Sequence, residues 1–357
     1  MTASAVARTE SYTPSQELNA WMRIQRLLRC PVHGAGLNWD AAAIQLYSNA
    51  SAIRYPVTDG IPCLFAPNVW PEGKTDVTDI VKAFYEDTPF PNYDDLDTRD
   101  SLAVKARRGV FARLLDEQLP RPVVVLEAGC GTGQLSNFLG MGWDRIVIGG
   151  DACLNSLRLA KQFRDRFSVH NAYFVQMNLF RPPFEDGTFD VIVTNGVLHH
   201  TSDPAGGFGT LANKLKPGGL ILVGLYNSLG RLPTLWRRRL IEVCGDKVAG
   251  LDSRLRGGRL NEGRWQAWFR DQYKHPHESK HSIDEVLKWF EKSRIEPLAS
   301  IPMVGNQEFT EDTRLFTPHD MGNRFDRWST QVNMLLEGGV DGGLFIMVGR
   351  KSAVPAH

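Results

Sequence analysis

The sequence predicts an α/β fold built around a parallel sheet, and three observations carry that expectation. Val123-Val124-Val125-Leu126 is a continuous apolar run ending in Glu127, the pattern of a strand buried on both faces. Glycines follow at 129, 131 and 133, after which Leu135, Phe138 and Leu139 open a helical period. Further strand-like runs then recur at 145–150, 172–178, 191–194 and 220–223.

Length and composition bound the answer. A chain of 357 residues can hold one large domain with one or two small appendages. No stretch is long enough to span a bilayer, and Met1–Arg8 lacks the apolar core of a signal peptide, so a cytoplasmic protein without a membrane partner is expected. The 5 cysteines are far apart and odd in number, which argues for free thiols in a reducing compartment. A net charge of only +1 gives no bulk reason to expect nucleic acid.

In chain order, residues 1–20 are Ser/Thr/Ala-rich and read as a flexible N-terminus. Residues 21–70 read as a small α+β unit: a helical opening at 21–28, then short strands and turns up to Ile61-Pro62. Cys30-x-x-His33 is half of a zinc site, but Ser48 and Ser51 stand where the second pair should lie, so no metal is expected. Residues 71–120 form a connector and a helix. Pro89 and Pro91 flank Phe90 and forbid regular structure there, while 101–119 reads as one helix. The aromatic residues of 84–93 suit either packing over a ligand or fastening the small unit to the large one.

Residues 121–228 read as the core of the large domain, with a ligand site expected at its glycine-rich turn. A strand, a glycine-rich turn and a helix let backbone N–H groups approach a polar ligand closely. The spacing is Gly-x-Gly-x-Gly with Gln134 next, so the dinucleotide pattern is absent, and the turn is free to hold a carboxypropyl group. The second strand ends in Asp151, roughly 20 residues past the glycines, placed to accept ribose hydroxyls. The fourth strand leads into Asn195-Gly196-Val197-Leu198-His199-His200.

These motifs, with Leu215-Lys216-Pro217-Gly218-Gly219 before the fifth strand, resemble the class I S-adenosylmethionine-dependent methyltransferases over residues 121–225, about a third of the chain. Within them the stretch is most similar to the quinone and natural-product methyltransferases. The resemblance implies a Rossmann-like, seven-stranded, mostly parallel sheet whose last strand, 343–349, is antiparallel. It implies that Glu127 and the turn Gly129, Cys130, Gly131 and Gly133 hold the methionine end. Asp151 and Ala152 would hold the ribose, Asn178 and Leu179 the adenine, and Asn195 would lie beside them. Many members carry Asp at the position of Asn178, whose carbonyl can still accept an amino proton. Cys30-Pro31 and Tyr55–Pro62 likewise resemble the zinc-knuckle unit that activates some tRNA and release-factor methyltransferases.

Such an enzyme aligns a nucleophile behind the methyl group and needs a base only when the acceptor must lose a proton. The candidates are His199 and His200, then Tyr226 and Tyr85; a histidine pair that merely holds its loop is the competing reading. Residues 229–282 form a helical cap insertion with an amphipathic helix at 232–243 and arginines at 237–239, 254, 256, 259 and 264. These arginines either recognise an anionic acceptor or form a solvated face. His275, His277, Glu278 and His281 have the composition of a metal cluster, but their spacing around Pro276 is irregular and no metal is expected. Residues 283–351 complete the core, with a helix at 283–290 and a strand at 295–301. The sequence thus predicts a methyltransferase acting on oxygen, nitrogen or carbon of a small molecule. RNA or protein methylation and a non-catalytic cofactor-binding module are the alternatives, and oligomeric state is not legible.

Overall fold

The computed structural model describes residues 23–91, 93, 97–252, 255, 262–305, 307–337 and 340–353. The N-terminal 1–20 segment and Arg254, Arg256 and Arg259 lie outside the described residues.

Alternating apolar strands and amphipathic helices produce the expected sheet. Seven strands pair in the order β10-β11-β9-β8-β5-β6-β7. They are β5 (Val123–Ala128), β6 (Arg145–Asp151), β7 (Ala172–Gln176), β8 (Phe189–Asn195), β9 (Leu215–Tyr226), β10 (Ile295–Ile301) and β11 (Leu344–Lys351). β11 runs antiparallel to both neighbours, and the other pairs are parallel. Helices α4 (Gln134–Gly140), α5 (Leu154–Arg166), α6 (Pro204–Lys214) and α9 (Ile283–Lys292) pack against the sheet. Two apolar cores form, one on each face of it.

Several boundaries differ from the sequence expectation. β9 extends in both directions, so Tyr226 is the strand's last residue rather than a loop residue. The helix expected over 101–119 is two, α2 (Arg99–Arg108) and α3 (Val110–Gln118). Gly109, at φ −80° and ψ 112°, leaves the helical region and redirects the chain, allowing Leu102 and Leu114-Leu115 to reach one core. Two helices had no counterpart in the reading: α1 (Thr78–Asp87) and α10 (Arg324–Leu336). The cap holds α7 (Leu232–Cys244) and α8 (Glu262–Tyr273).

The N-terminal unit is an antiparallel sheet of β1 (Asn38–Asp40), β2 (Gln45–Tyr47), β3 (Arg54–Thr58) and β4 (Ile61–Pro62). Its apolar residues do not close a core alone. Leu28, Leu46, Val57 and Leu64 share one with Tyr173, Met177 and Phe184 of the large sheet's side. Backbone bonds join the two, Arg29 N–H to the Pro183 carbonyl at 2.8 Å and Leu64 N–H to the Gln176 carbonyl at 2.9 Å. A unit this small gains most of its buried area from the partner surface. Cys30 Sγ lies 3.1 Å from the Tyr55 hydroxyl, and Ser48 Oγ accepts from Ala50 N–H.

Candidate active site

A cavity of about 460 Å³ runs across the C-terminal ends of the parallel strands, where this architecture places ligands. Along it lie Tyr226 at the end of β9, Asn195 of β8, Glu127 of β5, Asp151 of β6 and Asn178 just past β7. Sheet order therefore brings residues up to 100 positions apart into one line.

The glycine turn forms the floor. At Gly131 φ is +51°, and an added Cβ would fall inside the Phe90 carbonyl oxygen. At Gly129 φ is +77°, and a Cβ would strike the Val197 side chain. Glycine is required at both by conformation and by space. Asp151 fastens the turn, accepting from Gly131 N–H and from Cys153 N–H, each at 2.8 Å. Gly133 is not on the cavity wall; at φ +69° it starts α4 and packs against Ala160 and Phe174.

Glu127 accepts from the Ser136 hydroxyl, and burial raises its pKa to about 7. Burial also raises that of Asp151, with help from the nearby Glu86 carboxylate. Neither carboxylate has a lysine or arginine within ion-pair distance among the described residues. A ligand that brings a cation and hydroxyl donors would satisfy both, which is the chemistry of the methionine ammonium and the ribose.

Asn178 is 2% exposed and already busy. Its amide donates to the Ala66 carbonyl at 2.8 Å and to Asn68 Oδ1 at 2.7 Å, while its Oδ1 accepts from Phe180 N–H at 3.0 Å. An aspartate could not make the first two bonds. The N-terminal unit thus helps to build this end of the cavity. Ala152 and Leu179 line the same stretch.

The roof comes from segments the sequence reading left open. Phe90 and Pro91 close over the turn, with the Pro91 carbonyl accepting from the Thr132 hydroxyl. The aromatic residues of the connector go to two places. Phe90 lines the cavity, while Tyr93 stacks on Phe163 at 4.5 Å between ring centroids. α1 contributes Tyr85 and Lys82, and its Glu86 carboxylate accepts the Leu154 and Asn155 N–H groups at the start of α5. α8 contributes Trp268, Asp271 and Gln272.

Tyr85, Tyr226 and His200 line the cavity, but His199 lies behind them and is fully buried. The hydrogen bonds fix both imidazoles. Tyr226 N–H donates to His199 Nδ1 at 3.3 Å, which puts the ring proton on Nε2. That nitrogen lies 3.1 Å from His200 Nε2, which must accept. His200 Nδ1 then donates to the His277 carbonyl at 2.9 Å. Burial holds His199 well below the usual histidine range and lowers His200 to about 4. Both rings are neutral, and neither presents a free lone pair to the cavity. Tyr226 stacks on His199, and the Arg231 guanidinium lies over the Tyr226 ring, 3.6 Å from its centroid.

Asp271 was missed by the sequence reading. It is 4% exposed, accepting from the Tyr85 hydroxyl at 2.8 Å and from Gln272 Nε2 at 2.8 Å. Gln272 Nε2 also reaches the Tyr226 hydroxyl at 3.0 Å. Nothing in the sequence marks this aspartate, since only the placement of α8 buries it. No arginine among the described residues lines the cavity, whereas Lys82 does. Arg231 is spent in a buried two-pronged pair with Glu278, Arg238 on the His275 carbonyl and Glu242, and Arg264 on Asp97. His275 accepts from His277 N–H, Glu278 pairs with Arg231, and His277 and His281 reach out of the cap to the Thr201 carbonyl and to Glu285.

Residues 126–223 match the family model described as methyltransferase domain. Over that stretch the chain is similar to methyltransferase domains. Over 201 residues, 49% of this chain and 48% of the relative, it is 31% identical to an uncharacterized protein of Synechococcus sp.. It is 34% identical over 100 residues to demethylmenaquinone methyltransferase of Lactococcus lactis, covering 28% of this chain and 40% of that enzyme. The structure of PKMT2 from Rickettsia typhi in complex with AdoHcy aligns over 74% of this chain and 55% of that one, at 15% identity and a TM-score of 0.49. The chain spans about half the length of the curated relatives it matches. No helix among the described residues is long and apolar enough to cross a membrane.

Proposed function

We propose that the chain is a cytoplasmic methyltransferase that moves the methyl group of S-adenosylmethionine to a small-molecule acceptor. The observation that carries the small acceptor is the roof. Tyr85, Phe90 and Trp268 come from three separate segments and line the cavity at the strand ends, which favours an acceptor small enough to enter it. An RNA or protein chain would need an open approach to the same point.

In this reading Glu127 faces the methionine ammonium, the turn at Gly129, Cys130 and Gly131 admits the carboxypropyl group while Gly133 only starts α4, and Asp151 with Ala152 takes the ribose. Asn178 Oδ1 has a second lone pair for the adenine amino group, with Leu179 and Asn195 flanking the cofactor. The cofactor supplies a methyl activated on a sulfonium. The protein's part is to align the acceptor and exclude water. Tyr226 and Tyr85 offer hydroxyls at the acceptor end. His200 walls that end, and His199 holds it from behind, because their shared proton arrangement leaves neither able to take a proton. We read the N-terminal unit as a degenerate knuckle kept for packing, supported by its shared core and by Asn178.

Transfer of radiolabelled methyl from S-adenosylmethionine into fractionated cell extract tests the reading. Label in a small-molecule fraction is expected. Label only in RNA or protein would overturn the acceptor class, and cofactor binding without any transfer would favour a binding module.

A further inference from the structure

The cavity has two chemically different ends. The end beside Asn178 is closed by the N-terminal unit and belongs to the cofactor. The end beside Tyr226 has an aromatic wall around one buried carboxylate. Phe90 and Trp268 rings lie 6.2 Å apart, and Trp268 sits one helical turn before Asp271 on α8. Tyr85 and Tyr226 complete the wall.

The charges at this end do not balance. Asp271 accepts only from neutral donors, and no lysine or arginine lies within ion-pair distance of it among the described residues. Arg231, the guanidinium nearest in the network, is neutralised by Glu278. His200 is uncharged, so it neither balances Asp271 nor repels a cation. A buried carboxylate left without a counter-ion is costly, and aromatic faces favour cations over anions.

We propose that Asp271, Tyr85, Tyr226, Trp268 and Phe90 form a subsite for the ammonium group of an amine acceptor. This rests on the methyltransferase reading and names the acceptor class within it: a small amine, methylated on nitrogen. The carboxylate does two things. It binds the ammonium, and it can take one N–H proton from it, becoming a carboxylic acid while the nitrogen keeps a free lone pair. Burial already raises the Asp271 pKa, which brings it closer to that of the amine and makes the transfer less uphill.

Tetramethylammonium is the probe, because it carries the positive charge that the aromatic wall and the carboxylate would attract and cannot be methylated. It is titrated by calorimetry into the full chain, with and without saturating S-adenosylhomocysteine. The wild type is expected to bind it, Asp271→Asn to bind it at least tenfold more weakly, and Asp271→Glu to recover part of the affinity. S-adenosylhomocysteine binding should be unchanged in both variants, which also shows that they fold. No binding of tetramethylammonium to the wild type at millimolar concentration would overturn the proposal, as would equal binding by a folded Asp271→Asn. Failure of S-adenosylhomocysteine to bind would remove the methyltransferase reading, while the cofactor-free titration would still decide the ammonium subsite.

Discussion

The Asn178 side-chain amide donates to the Ala66 carbonyl at 2.8 Å, joining the cofactor end of the cavity to the N-terminal unit through a buried bond. This contact gives the appendage a physical role and requires an amide at position 178. Asn178→Asp would set a carboxylate against two oxygen acceptors, the Ala66 carbonyl and Asn68 Oδ1. A loss of about 1–3 kcal/mol is expected. Urea unfolding measures it, and hydrogen exchange should speed up at 61–68 before the sheet core.

Gly131→Ala should damage the site in a different way. The new Cβ meets the Phe90 carbonyl at a positive φ, so either the turn or the connector must move. A cost of roughly 1–3 kcal/mol is expected, with cofactor affinity down more than tenfold by calorimetry. An unaffected affinity would show that the turn is not the floor of the site.

Cofactor affinity should depend on pH through Glu127. Its pKa is raised to about 7 in the free protein, so it holds its proton below that pH and cannot pair with an ammonium. Affinity should rise with pH up to about 7, with a slope of up to tenfold per unit, and fall again as an α-amino group loses its proton at roughly 8. Glu127→Gln should flatten the acid limb. A wild-type profile flat from pH 5 to 7 (roughly two units of span) would contradict the assignment.

Acid should destabilise the fold through the histidine wall. His200 and His275 are lowered by burial to about 4 and about 3, below their value in the unfolded chain. The unfolded state therefore binds protons first. Their contribution is complete above roughly pH 6.5 and is lost as the pH falls to about 4 for His200 and about 3 for His275. The thermal midpoint should drop steadily across that window, and His200→Gln should shorten the drop.

How much of this could be read from sequence depended on whether the signal was local. The run Val123–Leu126 and the glycines after it marked β5, its turn and α4, because burial on both faces leaves a continuous apolar pattern. The line from Glu127 through Asp151 to Asn178 followed from motif positions at strand ends. α10 escaped because Phe325 and Trp328 face solvent and blur its periodicity, although Asn323 and Asp326 form a capping box that was there to be seen. Gly109 hid a break inside a helical pattern. Asp271 carried no signal at all, since an aspartate beside Arg270 on an amphipathic helix looks solvated until α8 is packed over Tyr85. Of the arginines that the sequence singles out in the cap, the fold pairs Arg238 with Glu242 and Arg264 with Asp97, and composition marks neither pairing.

The most direct test of the account is calorimetric titration of S-adenosylmethionine into the wild type and into Asp151→Asn, which keeps one acceptor for the turn but removes the charge. One molecule should bind per wild-type chain, and the variant should bind at least tenfold more weakly, about 1.4 kcal/mol. A wild type that takes up no S-adenosylmethionine, or a variant that binds it equally well, would contradict the assignment of this cavity as the cofactor site.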